Sequence, residues 1–172
     1  MLREMGCTNG TIFIQGLVNN SEMYFIEANY RLDGAKTFVP IKKYYGIDNV
    51  RLITDISLYG KTDLQIIPYK KRDEIIFDYD LWAYKTCLVK SIRGLNEIMK
   101  QIDGIDCVNN CYEGQELLAD YDHGVLLFVF SFSVKCAEEY YVIVNKINEM
   151  LSVLDEDGED ILDKIDLKEL LC

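Results

Sequence analysis

Within the β-rich stretch from Gly16 to Arg31, Glu27, Asn29 and Arg31 occupy every second position. Side chains alternate between the faces of a strand, so this spacing sends a carboxylate, an amide and a guanidinium to one side. The runs 11–18 and 23–32 flank Asn19-Asn20-Ser21-Glu22, which carries turn chemistry, and together they predict a β-hairpin. With Val18 paired to Tyr24, Gln15 falls opposite Glu27, and directly opposed residues share a face. Gln15, Glu27, Asn29 and Arg31 are therefore expected to converge.

The chain as a whole can bury a core of its own. It has 172 residues, of which 49% are hydrophobic, enough for one ordinary domain or two small lobes. Its 29 acidic against 18 basic side chains leave a net charge of -11, a surface that repels polyanions. Nucleic acid and anionic lipid are poor partners for it, and the paired tyrosines 44–45 and 140–141 lack the basic groove that base stacking requires. No run approaches the roughly 18 to 20 apolar residues that span a bilayer, and no apolar core follows Met1 as in a secretory signal. A cytoplasmic protein is expected.

Cys7, Cys87, Cys107, Cys111, Cys136 and Cys172 are scattered, so reduced thiols are expected. The pair Cys107 and Cys111 lacks the further ligands of a zinc site, since His123 is the only histidine. His123 itself, in Asp120-Tyr121-Asp122-His123-Gly124, reads as a turn residue beside aspartates. In Asp155-Glu156-Asp157-Gly158-Glu159-Asp160, alignment of Gly158 with the glycine of a calcium loop would put Val153 first and Lys164 last. A charged turn is expected instead.

Residues 37–45 predict a short helix stopped by Gly46, and 49–59 another before Gly60. Pro68 and the charged run 70–74 mark the expected boundary, dividing the chain into 1–68 and 69–172. Beyond it, 83–92 reads as a strand. Leu95, Ile98, Met99 and Ile102 form a helical stripe, 124–134 a strand buried on both sides, and Tyr140, Val144, Ile147 and Leu151 a second stripe. This order predicts a small α+β lobe with helices on a sheet.

Glu27, with the side-chain carbonyls of Gln15 and Asn29, offers oxygen ligands suited to Mg²⁺, which is commonly held by one or two carboxylates plus substrate phosphates. Arg31 beside them presents a planar fork of donors for phosphate or carboxylate oxygens. A polar face is also what a half-exposed hairpin ordinarily shows, so spacing leaves a noncatalytic α+β interaction module as the alternative. No Gly-x-x-x-x-Gly-Lys loop or Gly-x-Gly-x-x-Gly turn is present.

Gly10-Thr-Ile-Phe-Ile-Gln15 followed by Tyr24-Phe-Ile-Glu-Ala-Asn-Tyr-Arg-Leu-Asp-Gly34 resembles the closing hairpin of ATP-grasp enzymes, an acid or glutamine followed by Glu-x-Asn-x-Arg. The stretch Lys43-Tyr44-Tyr45-Gly46-Ile47-Asp48 resembles the segment after that hairpin in the carbamoyl-phosphate-synthase-like and biotin-carboxylase-like branches. The resemblance implies an α+β fold: the C-terminal half of an ATP-grasp domain in 1–68, an antiparallel hairpin plus helices, with an appended α+β lobe in 69–172.

It further implies that Gln15, Glu27 and Asn29 are Mg²⁺ ligands, that Glu27, Asn29 and Arg31 contact ATP, and that Arg31 is catalytic beside the terminal phosphate or acyl phosphate. The implied reaction activates a small carboxylate with ATP and passes it to an amine or other nucleophile. The N-terminal ATP-grasp lobes that clamp nucleotide have no counterpart in the sequence. A fragment of a longer ligase is therefore expected, inactive and without bound ATP or Mg²⁺ when alone, and prone to self-association through the surface its missing lobes would cover. Asp33 departs from the carboxylase pattern and leaves the second substrate open.

Overall fold

Asn20 closes the first turn with φ 49°, a left-handed conformation that asparagine tolerates better than most side chains. In the computed structural model, which describes Glu4, Gly6 and residues 9–20, 22–34, 37–65 and 73–166, it joins β1 (Phe13–Asn19) to β2 (Glu22–Asn29). The two strands pair antiparallel as a two-stranded sheet. Cys7, Pro68 and Cys172 lie outside the described residues, as do 70–72 of the charged run and Ser21 of the turn.

The chain forms two compact units, Met1–Lys71 and Arg72–Cys172. In the first, α1 (Phe38–Pro40) runs into a π-helical turn, Ile41–Tyr45, in place of the plain short helix expected there. Gly46 ends it at φ 71°, a conformation that costs glycine little. α2 spans Asn49–Tyr59, the predicted limits, because its stop signals are local. The Asp48 carboxylate accepts the Arg51 N–H at 2.9 Å as a cap, and Gly60 terminates the helix at φ 68°.

In the second unit the predicted strand at 83–92 is displaced. The long strand is β3 (Ile75–Ala83), followed by short β4 (Cys87–Leu88) and β5 (Ser91–Arg93). Ile75, Phe77, Tyr79, Leu81 and Ala83 alternate with Asp78 and Asp80, a period-two signal that precedes the predicted strand. After β5 come α3 (Leu95–Gln101), β6 (Asp106–Asn109), β7 (Glu116–Leu117), β8 (Val125–Val134), α4 (Ala137–Met150) and β9 (Ser152–Leu154).

β8 lies between β3 and β6 in an antiparallel three-stranded sheet, while β4 pairs with β7 and β5 with β9. Its central place explains why it is buried from Leu127 to Phe132. Phe77 and Phe132 oppose each other across β3 and β8, and the Tyr140 ring of α4 lies 4.6 Å and 6.0 Å from their centroids. Ile98 of α3 and Val144 and Ile147 of α4 join Tyr79, Leu81, Phe128 and Phe130 in one core. Each such apolar side chain contributes about 1.5–3 kcal/mol through burial.

The acidic run 155–160 is a tight turn. The Asp155 carboxylate is fully buried, accepts the Asp157 and Glu159 backbone N–H groups, and receives Lys85 Nζ at 2.6 Å. The Lys85 hydrogen bond, aided by those N–H donors, holds its pKa below the usual 3.8 against the opposing effect of burial. A depressed carboxylate stabilises the fold above its unfolded pKa and loses that contribution as pH falls through its folded pKa. Stability of the second unit is therefore expected to fall with acidification below pH 3.8. Asp155→Asn should be less stable at neutral pH and flatter across the acid range, as measured by urea unfolding followed through Trp82 fluorescence. A parallel pH profile for the two proteins would count against this role of the carboxylate.

Burial also pushes the thiols of Cys107 and Cys111 up to about 12 and about 11, which disfavours the thiolates. Cys87, Cys107, Cys111 and Cys136 are free cysteines.

Candidate functional site on the hairpin face

The register of the hairpin positions the site. Gln15 lies opposite Glu27 and Phe13 opposite Asn29, but Gly16 pairs with Phe25 and Val18 with Met23, rather than Val18 with Tyr24. Ile26 is the extra residue of a β-bulge. The Gln15–Glu27 pairing thus holds although the register assumed at the turn does not. The bulge absorbs the one-residue difference.

The bulge sets which β2 residues share a side with Gln15. Phe13, Gln15, Leu17, Tyr24, Glu27 and Asn29 fall on one side, whereas Ile14, Val18, Met23, Phe25 and Ala28 fall on the other. Without the extra residue Phe25 would join the polar side. Gly16 stands opposite the irregularity, where an added Cβ would come within 2.9 Å of the Tyr24 carbonyl oxygen. Ile14, Val18, Met23 and Phe25 are all exposed.

Arg31 reaches the polar side by a route that strand alternation does not supply. β2 ends at Asn29, and the Arg31 N–H donates to the Asn29 carbonyl at 3.0 Å, turning the chain at Tyr30. Its guanidinium carbon lies 5.6 Å from the centroid of the Phe13 ring, and Nη1 donates to the Leu32 carbonyl at 2.8 Å. At an exposed site a cation–π contact contributes about 0.5–1 kcal/mol. Phe13 shares its face with Gln15, so the four predicted residues are brought to one side of the hairpin, with Arg31 held at its end.

Gln15 and Glu27 are exposed and Asn29 is half-buried, and their side chains make no hydrogen bond among the described residues. One carboxylate and two amide carbonyls match the oxygen preference of a hard cation and fall short of a full coordination shell without phosphate oxygens. Among the described residues, no group of three or more His, Cys, Asp or Glu side chains gathers to hold a metal. A cavity of about 140 Å³ adjoins Arg31, lined also by Thr11, Phe13, Asp33, Phe38 and Asn49. In the sequence Asp33 stands out only as a departure from the carboxylase pattern that leaves the second substrate open; the cavity itself has no local sequence signal.

His123 is exposed, with Nδ1 3.0 Å from an Asp120 oxygen that also accepts the Asp122 and His123 backbone N–H groups. No helix among the described residues is long and apolar enough to cross a membrane.

The architecture, α+β with a paired hairpin followed by helices and a second α+β unit, is ATP-grasp-like, the fold class that the hairpin motif implies. It is similar to the solved structure of L-amino acid ligase from Bacillus licheniformis, with a TM-score of 0.67 and 17% sequence identity. The similarity covers 90% of this chain and 38% of the ligase chain. No family model and no curated protein sequence matches.

Proposed function

We propose that this chain carries part of the metal and phosphate site of an ATP- and Mg²⁺-dependent, carboxylate-activating ligase. The observation behind this reading is the placement of Gln15, Glu27, Asn29 and Arg31 on one side of a hairpin within an ATP-grasp-like fold. Gln15, Glu27 and Asn29 are assigned as Mg²⁺ ligands, and Glu27, Asn29 and Arg31 as contacts to ATP. Bound Mg²⁺ would neutralise charge on the phosphate oxygens. Arg31 spends one N–H on the Leu32 carbonyl, and its remaining donors are assigned to the transferring phosphoryl group, where a preformed donor lowers the barrier by meeting developing charge.

The carboxylate and amine substrates, and the kinship with the carbamoyl-phosphate-synthase-like and biotin-carboxylase-like branches, belong to the same proposal. An L-amino acid ligase as structural neighbour supports the ligase class. The division into an ATP-grasp part at 1–68 and an appended lobe at 69–172 follows from this reading, as does a cytoplasmic setting. The chain spans 38% of the neighbour's length, and the lobes that clamp ATP are assigned to further polypeptide. Alone, the chain is expected to show no turnover and no micromolar affinity for Mg-ATP by isothermal titration.

In the enzyme carrying the nucleotide-clamping lobes, Glu27→Ala is expected to lower ATP-dependent phosphate release by about 10²- to 10³-fold, the loss typical of removing a group that stabilises transition-state charge. An unchanged circular dichroism spectrum would establish that the fold survives. Full activity would favour the second reading, a noncatalytic α+β interaction module. That reading draws on the exposed apolar side of Ile14, Val18, Met23 and Phe25, which would also support self-association.

A further inference from the structure

The cavity beside Arg31 is lined by polar groups for which the described residues provide no partner. Asp33 is half-buried and makes no hydrogen bond or ion pair among the described residues. Thr11 Oγ1 is buried and likewise unpartnered. Buried polar groups in proteins are normally satisfied, and a partly desolvated carboxylate without a partner favours the approach of a cation or donor. Arg31 lines the same cavity but forms no ion pair with Asp33; the one hydrogen bond of its guanidinium among the described residues goes to the Leu32 carbonyl. Phe13 and Phe38 supply apolar wall.

We infer that Asp33 binds the ammonium group of a small primary amine, the acceptor substrate of the ligase, with the alkyl portion against Phe38. The role as acceptor rests on the ligase reading, whereas the binding itself rests on the cavity. The volume of about 140 Å³ equals that of roughly four to five waters at ~30 Å³ each, so a compact amine fits and a nucleotide does not. A hydroxyl or thiol acceptor would bring no charge to Asp33, which is why an ammonium group is the ligand favoured on its side of the cavity.

The test is a titration of the chain with ethylammonium chloride, and separately with ethanol, at constant ionic strength and without ATP or Mg²⁺, followed by amide NMR. Ethylammonium is expected to shift the resonances of Thr11, Asp33 and Phe38 saturably, while ethanol leaves them unmoved. Asp33→Asn should weaken binding by about 10- to 100-fold, the usual range for a hydrogen bond to a charged group, and Asp33→Glu should retain it. Equal responses to ethanol and ethylammonium, or wild-type binding by Asp33→Asn with its other resonances in place, would overturn the inference. Because no nucleotide is present, its failure is separable from that of the ligase reading. Amine binding together with a fully active Glu27→Ala enzyme would instead sink the ligase reading and leave the amine site standing.

Discussion

Replacing Phe130 by alanine is expected to destabilise the second unit by about 3–5 kcal/mol, the cost typical of removing a large aromatic from a closed core. Phe130 is 0% exposed and stands in the middle of β8. It is opposed by Tyr79 on β3 and Cys107 on β6, and its ring centroid is 6.1 Å from that of Phe128. Neighbours on both flanks belong to regular ladders and cannot collapse into the space, so both the transfer and the cavity contributions should be felt. The chain's one tryptophan, Trp82, lies in β3 of the same sheet, so its fluorescence in urea reports this unit. A loss smaller than about 1 kcal/mol would mean that the sheet repacks around the truncation.

Gly94→Ala is the second large effect. Gly94 adopts φ 85° at the start of α3, and an added Cβ would stand 1.9 Å from the Met150 carbonyl oxygen and 2.6 Å from its carbon. Those atoms are backbone, fixed where α4 passes into β9, and the neighbouring Arg93 pairs with Ser152 of β9. Neither side can withdraw without breaking the β5–β9 pairing. The left-handed conformation costs an alanine about 1–3 kcal/mol, and overpacking adds about 1–3 kcal/mol more. Gly104 provides the control, because it has φ 75° and nothing within 4 Å of its notional Cβ. Gly104→Ala should show the backbone effect alone, and equal losses at both positions would remove the steric argument.

The contrast between these two glycines illustrates how much of the molecule can be read along the chain. Gly46 and Gly60 act as helix stops through their own backbone freedom, so the ends of the π-helical turn and α2 were legible, whereas α3 ends at Gln101 with extended Ile102 and Gly104 lies in the turn beyond it. Gly94 is required by a carbonyl 56 positions away in sequence, between residues 94 and 150, and no local pattern announces it. The candidate site divides in the same manner. Glu27 and Asn29 share a face because strand residues alternate. Arg31 joins them through a turn at Tyr30 and the ring of Phe13, on the opposite strand.

From sequence alone came the paired hairpin, the limits of α2, the helical stripes of α3 and α4 and the buried strand β8, because periodicity and capping act over a few residues. Tertiary structure decided the bulge at Ile26, the shift of the long strand to Ile75–Ala83, the inward turn of Asp155 onto Lys85 and the cavity that encloses Asp33. In each of these a group's position depends on a partner from another segment. Pairing across such distances is set by how whole elements share a core, which adjacent residues do not encode.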